Sequence, residues 1–392
     1  MPATDPRRPS PSLAGTLNLP PFDFSRSPFI VIWEVTRACA LACVHCRADA
    51  IPRRNPQELT TEEGLRLIDQ VRGLSQPPPL FVLTGGDPMR RPDLALLVHY
   101  AADAGLIVAL TPSGTAAATR ARLTELKNAG LSRVAVSLDG PDAETHDAFR
   151  RVRGSYDRTM KIIDAVADLG LSLQINTTIS RLTLPQLEPM AARVAEFPLS
   201  LWAVFFLVRT GRGASLDQIT ADECERVLNY LYDLSCTSSF GIKTTEAPHF
   251  HRVIWQREHA RPVFDSAQVP GAKQRGLRAP RSVTDGNGFL FIDHLGNICP
   301  SGFLPVARGN VRTDDLGTIY RNDEIFRRLR QTDALGGKCG RCEFRQLCGG
   351  SRARAFAETG ALMASDPLCA YEPGGPSRSA RIGADPWVNR LA

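Results

Sequence analysis

The stretch FIVIWEVTRACALACVHC, residues 29–46, joins two different kinds of sequence. FIVIWEVT (29–36) is a short apolar, β-rich run that reads as a buried strand. RACALACVHC (37–46) then sets Cys39, Cys43 and Cys46 in a C-x3-C-x2-C spacing. That spacing is too tight for one face of a regular helix and suits a loop wrapped around a compact metal centre. With ten cysteines in 392 residues, roughly 0.007 such triplets are expected by chance. Iron–sulfur clusters normally take four thiolates, so three supplied locally leave one iron with an open position. His45, next to Cys46, would have trouble reaching a different iron from the same loop, and a stacking or surface role is expected for it.

Downstream of this loop the same alternation repeats. TTEEGLRLIDQVRGL (60–74) carries Leu65, Ile68 and Val71 on one side, with Thr60 or Thr61 placed to cap a helix. LFVLT (80–84) leads into RPDLALLVHYAADAG (91–105), with proline near the helix start and glycine after its end. LIVALT (106–111), SRVAVSLD (132–139), LSLQINTT (171–178) and SLWAVFFLV (200–208) continue the pattern. Six such strands predict parallel pairing through right-handed crossovers, in a barrel or an open sheet. In either case the loops after the strands' C-terminal ends gather at one rim, and chemistry is expected there.

Composition bounds the rest. A hydrophobic content of 43% describes a globular chain, and its net charge of +6 is spread along mixed-sign pieces. No nucleic-acid partner is expected from it. No apolar run is long enough to cross a bilayer, and residues 1–27 lack the apolar core of a secretory signal, so a cytoplasmic protein with no membrane partner is expected. Ten cysteines there read as metal or redox ligands, with Cys224, Cys236 and Cys299 as core residues.

The triplet directly after the first strand of a parallel repeat resembles the radical SAM superfamily. The resemblance covers roughly residues 29–370 and implies an α/β fold, a partial (β/α)6 TIM-like barrel with a small C-terminal iron–sulfur module. It implies a 4Fe-4S cluster on Cys39, Cys43 and Cys46, with S-adenosylmethionine on its open iron. Reduction then yields a 5'-deoxyadenosyl radical that abstracts a substrate hydrogen. TGGDP (84–88) stands where the family has a Gly-Gly-Glu element, so Gly85 and Gly86 would let the backbone approach the methionine amino group. Asp87 replaces the usual Glu. Ser137 of SLDG would contact the ribose, Arg150 would grip the methionine carboxylate, Ser113 is a further contact, and His45 would lie near the adenine.

Late in the chain, Cys339, Cys342, Cys348 and Cys369 resemble the SPASM/Twitch extension of the same superfamily. The full pattern has further cysteines where this chain has Ser301 and Arg352, and none stands just before Gly296. One auxiliary 4Fe-4S cluster with four thiolates is implied; a structural zinc site is the other reading of the same residues. The expected division is a flexible segment 1–27, a barrel 28–236, a bridge 237–284, an auxiliary-cluster domain 285–372 with a hairpin turning at HLGN, and a tail 373–392.

The substrate is least constrained. Glu246, His249, His251 and Arg252 cluster around Phe250, and Arg209 and Arg212 follow the sixth strand; Glu246, His249 and Arg209 are the catalytic candidates. Interdomain polar contacts are the alternative reading. WEVTRACALACVHCRA, TGGDP and CGGSRARA together look most like the haem and haem d1 branch, which implies hydrogen abstraction from a carboxylate-bearing small molecule such as a tetrapyrrole. Maturation of a ribosomal peptide, or a non-catalytic iron–sulfur or zinc protein, are the alternatives. An external electron donor such as flavodoxin or ferredoxin is implied.

Overall fold

The structure, a computed structural model, describes residues 23–259 and 282–374. The six expected strands form at β1 (Ile30–Glu34), β2 (Leu80–Thr84), β3 (Val108–Leu110), β4 (Arg133–Ser137), β5 (Ser172–Ile179) and β6 (Leu201–Phe206). They pair in parallel in sequence order. Helices fill the connections. The first, Thr61–Arg72, is capped by Thr60, whose hydroxyl accepts from the Glu63 N–H while the Glu63 carboxylate accepts from the Thr60 N–H.

Alternation gives the sheet two unlike faces. Trp33, Leu83, Leu110 and Val134 stand in register across β1–β4, and Ile175, Trp202 and Ile242 continue the same face. All seven are fully or almost fully buried beneath the helices. Each such side chain contributes about 1.5–3 kcal/mol on burial. Gly64 is needed where the first helix crosses this layer, because a Cβ there would lie 2.7 Å from the Trp33 ring. Residues of opposite parity, among them Ile32, Val82, Arg133, Gln174, Asn176, Ala203, Phe205 and Phe291, line the inner face.

The sheet runs past the boundary expected at residue 236. A seventh parallel strand, β7 (Gly241–Thr245), comes from the expected bridge and pairs with β6. Its sequence, GIKTT, has one large apolar residue, so periodicity does not mark it. At the other edge β8 (Phe289–Ile292) pairs in parallel with β1 and turns through Asp293–Asn297 into antiparallel β9 (Ile298–Cys299). The hairpin expected at HLGN is present, but it extends the barrel sheet as well as opening the C-terminal module. Residues 260–281 of the bridge, and most of the expected N-terminal segment and tail, lie outside the described residues.

Loop contacts show that the sheet is curled. In a flat sheet β1 and β6 would stand five strand spacings apart, about 24 Å. Yet the Arg212 N–H after β6 donates to Cys46 O at 3.0 Å, and Arg212 Nε to Cys43 O at 3.0 Å. This is the partial barrel that the repeat predicts, with its rim loops meeting around the cysteine loop.

Candidate active site and cluster-binding loops

The cysteine loop leaves the top of β1 and is held from three sides. Arg212 clamps its carbonyls and reaches Ala50 O at 3.0 Å, while a Cβ at Gly211 (φ 53°) would strike Cys46 O and Arg47 O at 2.5 Å. From below, the Gly86 N–H donates to Thr36 O and the Asp87 N–H to Ala38 O. A Cβ at Gly85 would lie 2.4 Å from Thr36 O, and one at Gly86 2.5 Å from Arg37 O. Both glycines are therefore required by the approach of the loop backbone itself, a reason additional to the cofactor approach expected from sequence. From the third side, Glu58 accepts from the Thr36 hydroxyl at 2.6 Å and from the Arg37 N–H.

Cys39, Cys43 and Cys46 pack together with Leu41, Ala50 and Val152. The Leu41 N–H points at Cys39 Sγ (3.3 Å), the Ala50 N–H at Cys46 Sγ (3.4 Å), and Arg150 Nη1 lies 3.6 Å from Cys43 Sγ. Donors aimed at sulfur are what a thiolate in an anionic cluster needs. Without such a cluster, burial pushes the Cys39 thiol up to about 11. The donor set fits a three-thiolate cluster.

The flanking residues make contacts of their own within the chain. Arg150, expected on a methionine carboxylate, is buried in an ion pair with Asp139. Burial alone would raise the Asp139 carboxyl, but the Arg150 charge beside it holds it below the usual range. Asp139 also accepts from the Thr178 N–H at 2.7 Å. His45 stacks on Phe149 with ring centroids 4.3 Å apart, and burial followed by the Arg150 charge pushes its imidazole down to about 3. It is a neutral packing group in this geometry. Asp87 is wholly buried and accepts from the Thr115 hydroxyl (2.6 Å) and the Met89 and Ser113 N–H groups, tying the β2 and β3 loops together. Burial, outweighing those bonds, raises its carboxyl. Ser113 donates to Gly86 O at 2.7 Å and lies 3.8 Å from Cys39 Sγ. Ser137 ends β4 on the inner face beside Asn176.

The second cysteine group behaves as one unit. Cys339, Cys342, Cys348 and Cys369 line a single small cavity with Arg252, Lys338, Arg345 and Tyr371. The Gly350 N–H points at Cys348 Sγ and the Asp366 N–H at Cys339 Sγ, each at 3.4 Å. Burial pushes Cys369 up to about 11, and the surrounding cations favour an anionic occupant. Among the described residues, no three His, Cys, Asp or Glu side chains close on a point as around a single ion. Cys224 and Cys236 pack in or against the core along helix Ala221–Thr237, and Cys299 is buried in β9.

The three catalytic candidates face this module. The Glu246 carboxylate accepts from the Ser351 hydroxyl, His249 Nε2 lies 3.1 Å from Asp366 Oδ2, and Arg209 lies 3.7 Å from Glu358. They make the interdomain contacts that were the alternative reading. Asp366, which the sequence gave no reason to single out, is the hub: it is fully buried against Arg354 and accepts from the Ser351 N–H at 2.7 Å. Burial would raise it, but Arg354 and His249 hold it far below the usual range. Where further cysteines would stand, Ser301 donates to Asp285, and Arg352 donates to Leu362 O and Ala364 O. Polar contacts thus fill that place.

Known proteins agree with this geometry. Residues 33–192 match the model of the radical SAM superfamily. The AdoMet-dependent heme synthase of Oleidesulfovibrio alaskensis is 41% identical over 366 residues, covering 92% of each chain. That of Methanosarcina barkeri is 37% identical over 350 residues, covering 89% of this chain and 98% of its own. Among solved structures, Streptococcus suis SuiB bound to S-adenosylmethionine superposes with a TM-score of 0.68 at 15% identity, over 88% of this chain and 78% of that one, which shows the same fold. With its cysteine loop at the head of a curled parallel sheet and its likeness to these proteins along nearly the whole chain, the protein belongs to the radical SAM superfamily.

Proposed function

We propose that this enzyme forms haem: it removes hydrogen from propionate side chains of an iron porphyrin, and each attacked side chain loses carbon dioxide and becomes a vinyl group. The observation that carries this reading is the 41% identity, over 92% of both chains, to a protein named as a heme synthase. Cys39, Cys43 and Cys46 would hold a 4Fe-4S cluster that, when reduced and carrying S-adenosylmethionine, would supply the 5'-deoxyadenosyl radical. Per propionate, one hydrogen atom leaves to that radical, one electron passes to a one-electron acceptor, and the carboxylate departs as carbon dioxide.

The residues of the chain have defined parts in this scheme. Arg212, Glu58 and the Gly85–Gly86 turn fix the loop, and Arg150 places positive charge beside Cys43. Gly85, Gly86, Ser113 and Ser137 stand at strand ends around the loop as the contacts for S-adenosylmethionine. The aromatic inner face, with Phe205 and Phe303 6.3 Å apart, suits a flat apolar ring. Cys339, Cys342, Cys348 and Cys369 hold a second cluster, and a flavodoxin or ferredoxin delivers electrons. The cytoplasm is the site of action, in keeping with ten cysteines that are all unpaired.

The test is anaerobic turnover with S-adenosylmethionine, dithionite and iron coproporphyrin III, followed by chromatography. Haem should form with one 5'-deoxyadenosine per propionate lost. Deoxyadenosine without any change in the porphyrin would refute the substrate, and its persistence in a Cys43→Ser variant would refute the radical assignment.

A further inference from the structure

The inner face of the barrel carries two cations that the scheme above does not use. Lys243 lies on β7 in register with Ala203, Asn176 and Ser137, and Arg133 begins β4. Both have the parity opposite to the helix-facing Ile242 and Val134, so both side chains project inward. Neither has a carboxylate or other hydrogen-bond partner among the described residues. The other rim and interior arginines do: Arg47 is paired with Glu34 at 3.2 Å and Arg150 with Asp139. Lys243 keeps part of its surface open yet is surrounded by protein. Burial first, and the nearby Arg133 charge second, push its ammonium down to about 8. Two like charges projecting from the same face of the sheet, with no acid paired to either among the described residues, repel one another at a cost in free energy. An anionic ligand would reverse that cost. Between the two cations, Gln174 and Asn176 are joined by a 2.6 Å amide bond that leaves further donors and acceptors toward the same space.

We infer that Lys243 and Arg133 form a carboxylate-binding site inside the barrel, which holds a substrate carboxylate while the aromatic inner face holds the substrate's flat body. This rests on the porphyrin reading above and deepens it, since it separates the part of the substrate that is gripped from the part that reacts. Lys243 and Arg133 are positioning residues. The same chemistry would suit the methionine carboxylate of S-adenosylmethionine, so the two sources must be measured apart.

The experiment uses the anaerobically reconstituted chain and its Lys243→Met and Lys243→Arg variants. Iron coproporphyrin III and its tetramethyl ester are titrated by absorbance, and S-adenosylmethionine by equilibrium dialysis. Lys243→Met should weaken the tetracarboxylate at least tenfold and the ester less than twofold. Lys243→Arg should recover binding to within threefold of the parent, and S-adenosylmethionine affinity should stay within twofold. Because it removes an uncompensated cation, Lys243→Met should unfold at the same temperature as the parent or higher. Unchanged tetracarboxylate affinity in Lys243→Met, a loss confined to S-adenosylmethionine, or a fall of several degrees in Tm would each overturn the inference while leaving the porphyrin reading intact. A parent protein that binds neither porphyrin would overturn both.

Discussion

Replacing Asp139 by Asn tests how the cluster loop is supported. Asp139 is 2% exposed and forms the ion pair with Arg150, itself 9% exposed and 3.6 Å from Cys43 Sγ. An Asn side chain keeps the size and can still accept the Thr178 N–H, so the change isolates the charge. The guanidinium is left buried without its partner, a loss of about 3–5 kcal/mol for a broken buried pair. At about 2–4 °C per kcal/mol for a chain of this order of size, Tm should fall by about 6 °C or more. Adding Arg150→Met removes the orphaned charge and should recover most of the loss. The pH dependence has a definite sign. A carboxyl held below its ordinary value contributes stability that is present above the unfolded pKa, about 3.9, and lost as pH falls through the lower folded value. The gap between parent and Asp139→Asn should therefore be full at neutral pH and close in acid. Thermal unfolding followed by circular dichroism, on reconstituted protein across that range, is the assay. An Asp139→Asn variant within 1 °C of the parent, or a double variant as unstable as the single, would refute the reasoning.

Three further outcomes are expected. Gly86→Ala places a methyl 2.5–2.6 Å from the Arg37 and Ala38 carbonyl oxygens and should cost about 1–3 kcal/mol, with iron retention on desalting falling alongside; full retention would mean that the glycine serves only to admit the cofactor. Serine at Cys342 or Cys348 should reduce iron from about eight to about four per chain while the first cluster's spectroscopic signal remains; four irons and one zinc in the parent would assign the late site to zinc. Burial, then the Asp285 charge, raises the Glu246 carboxyl from 4.5 to about 8, so stability should fall as pH rises through that interval, and Glu246→Gln should flatten the slope in a Tm titration.

What the sequence revealed follows from how local each signal is. Six strands, the capped first helix and the HLGN hairpin are written in adjacent residues, as are the first cysteine group and Cys339, Cys342 and Cys348 of the second, because a loop around a metal draws most of its ligands from a few neighbouring positions. β7 escaped because one apolar residue in GIKTT carries no period; it is held by pairing with β6 and by Ile242 packing under the helices. The contacts that Arg150, His45 and Glu246 make were not legible in the sequence for a different reason. Each partner is distant in the chain or unremarkable beside it: Asp139, Phe149 and Ser351 acquire meaning only when folding brings them within contact. Asp139 stood within SLDG, where an acid four residues before the helix at Ala143–Arg150 was the available clue.

The pairing of β8 with β1 bears on how the chain is made. β1 leaves the ribosome early with one flank open, and the segment that covers it, Phe289–Ile292, is synthesised roughly 250 residues later. At about 5–20 residues per second that interval is on the order of 10–50 seconds. During it, the strand leading into the cysteine loop presents bare backbone donors and acceptors to any neighbouring chain. Overproduction should therefore give aggregates seeded from the N-terminal half, and slower synthesis in the cold, or a chaperone that shields that edge, should raise the yield of enzyme able to accept iron.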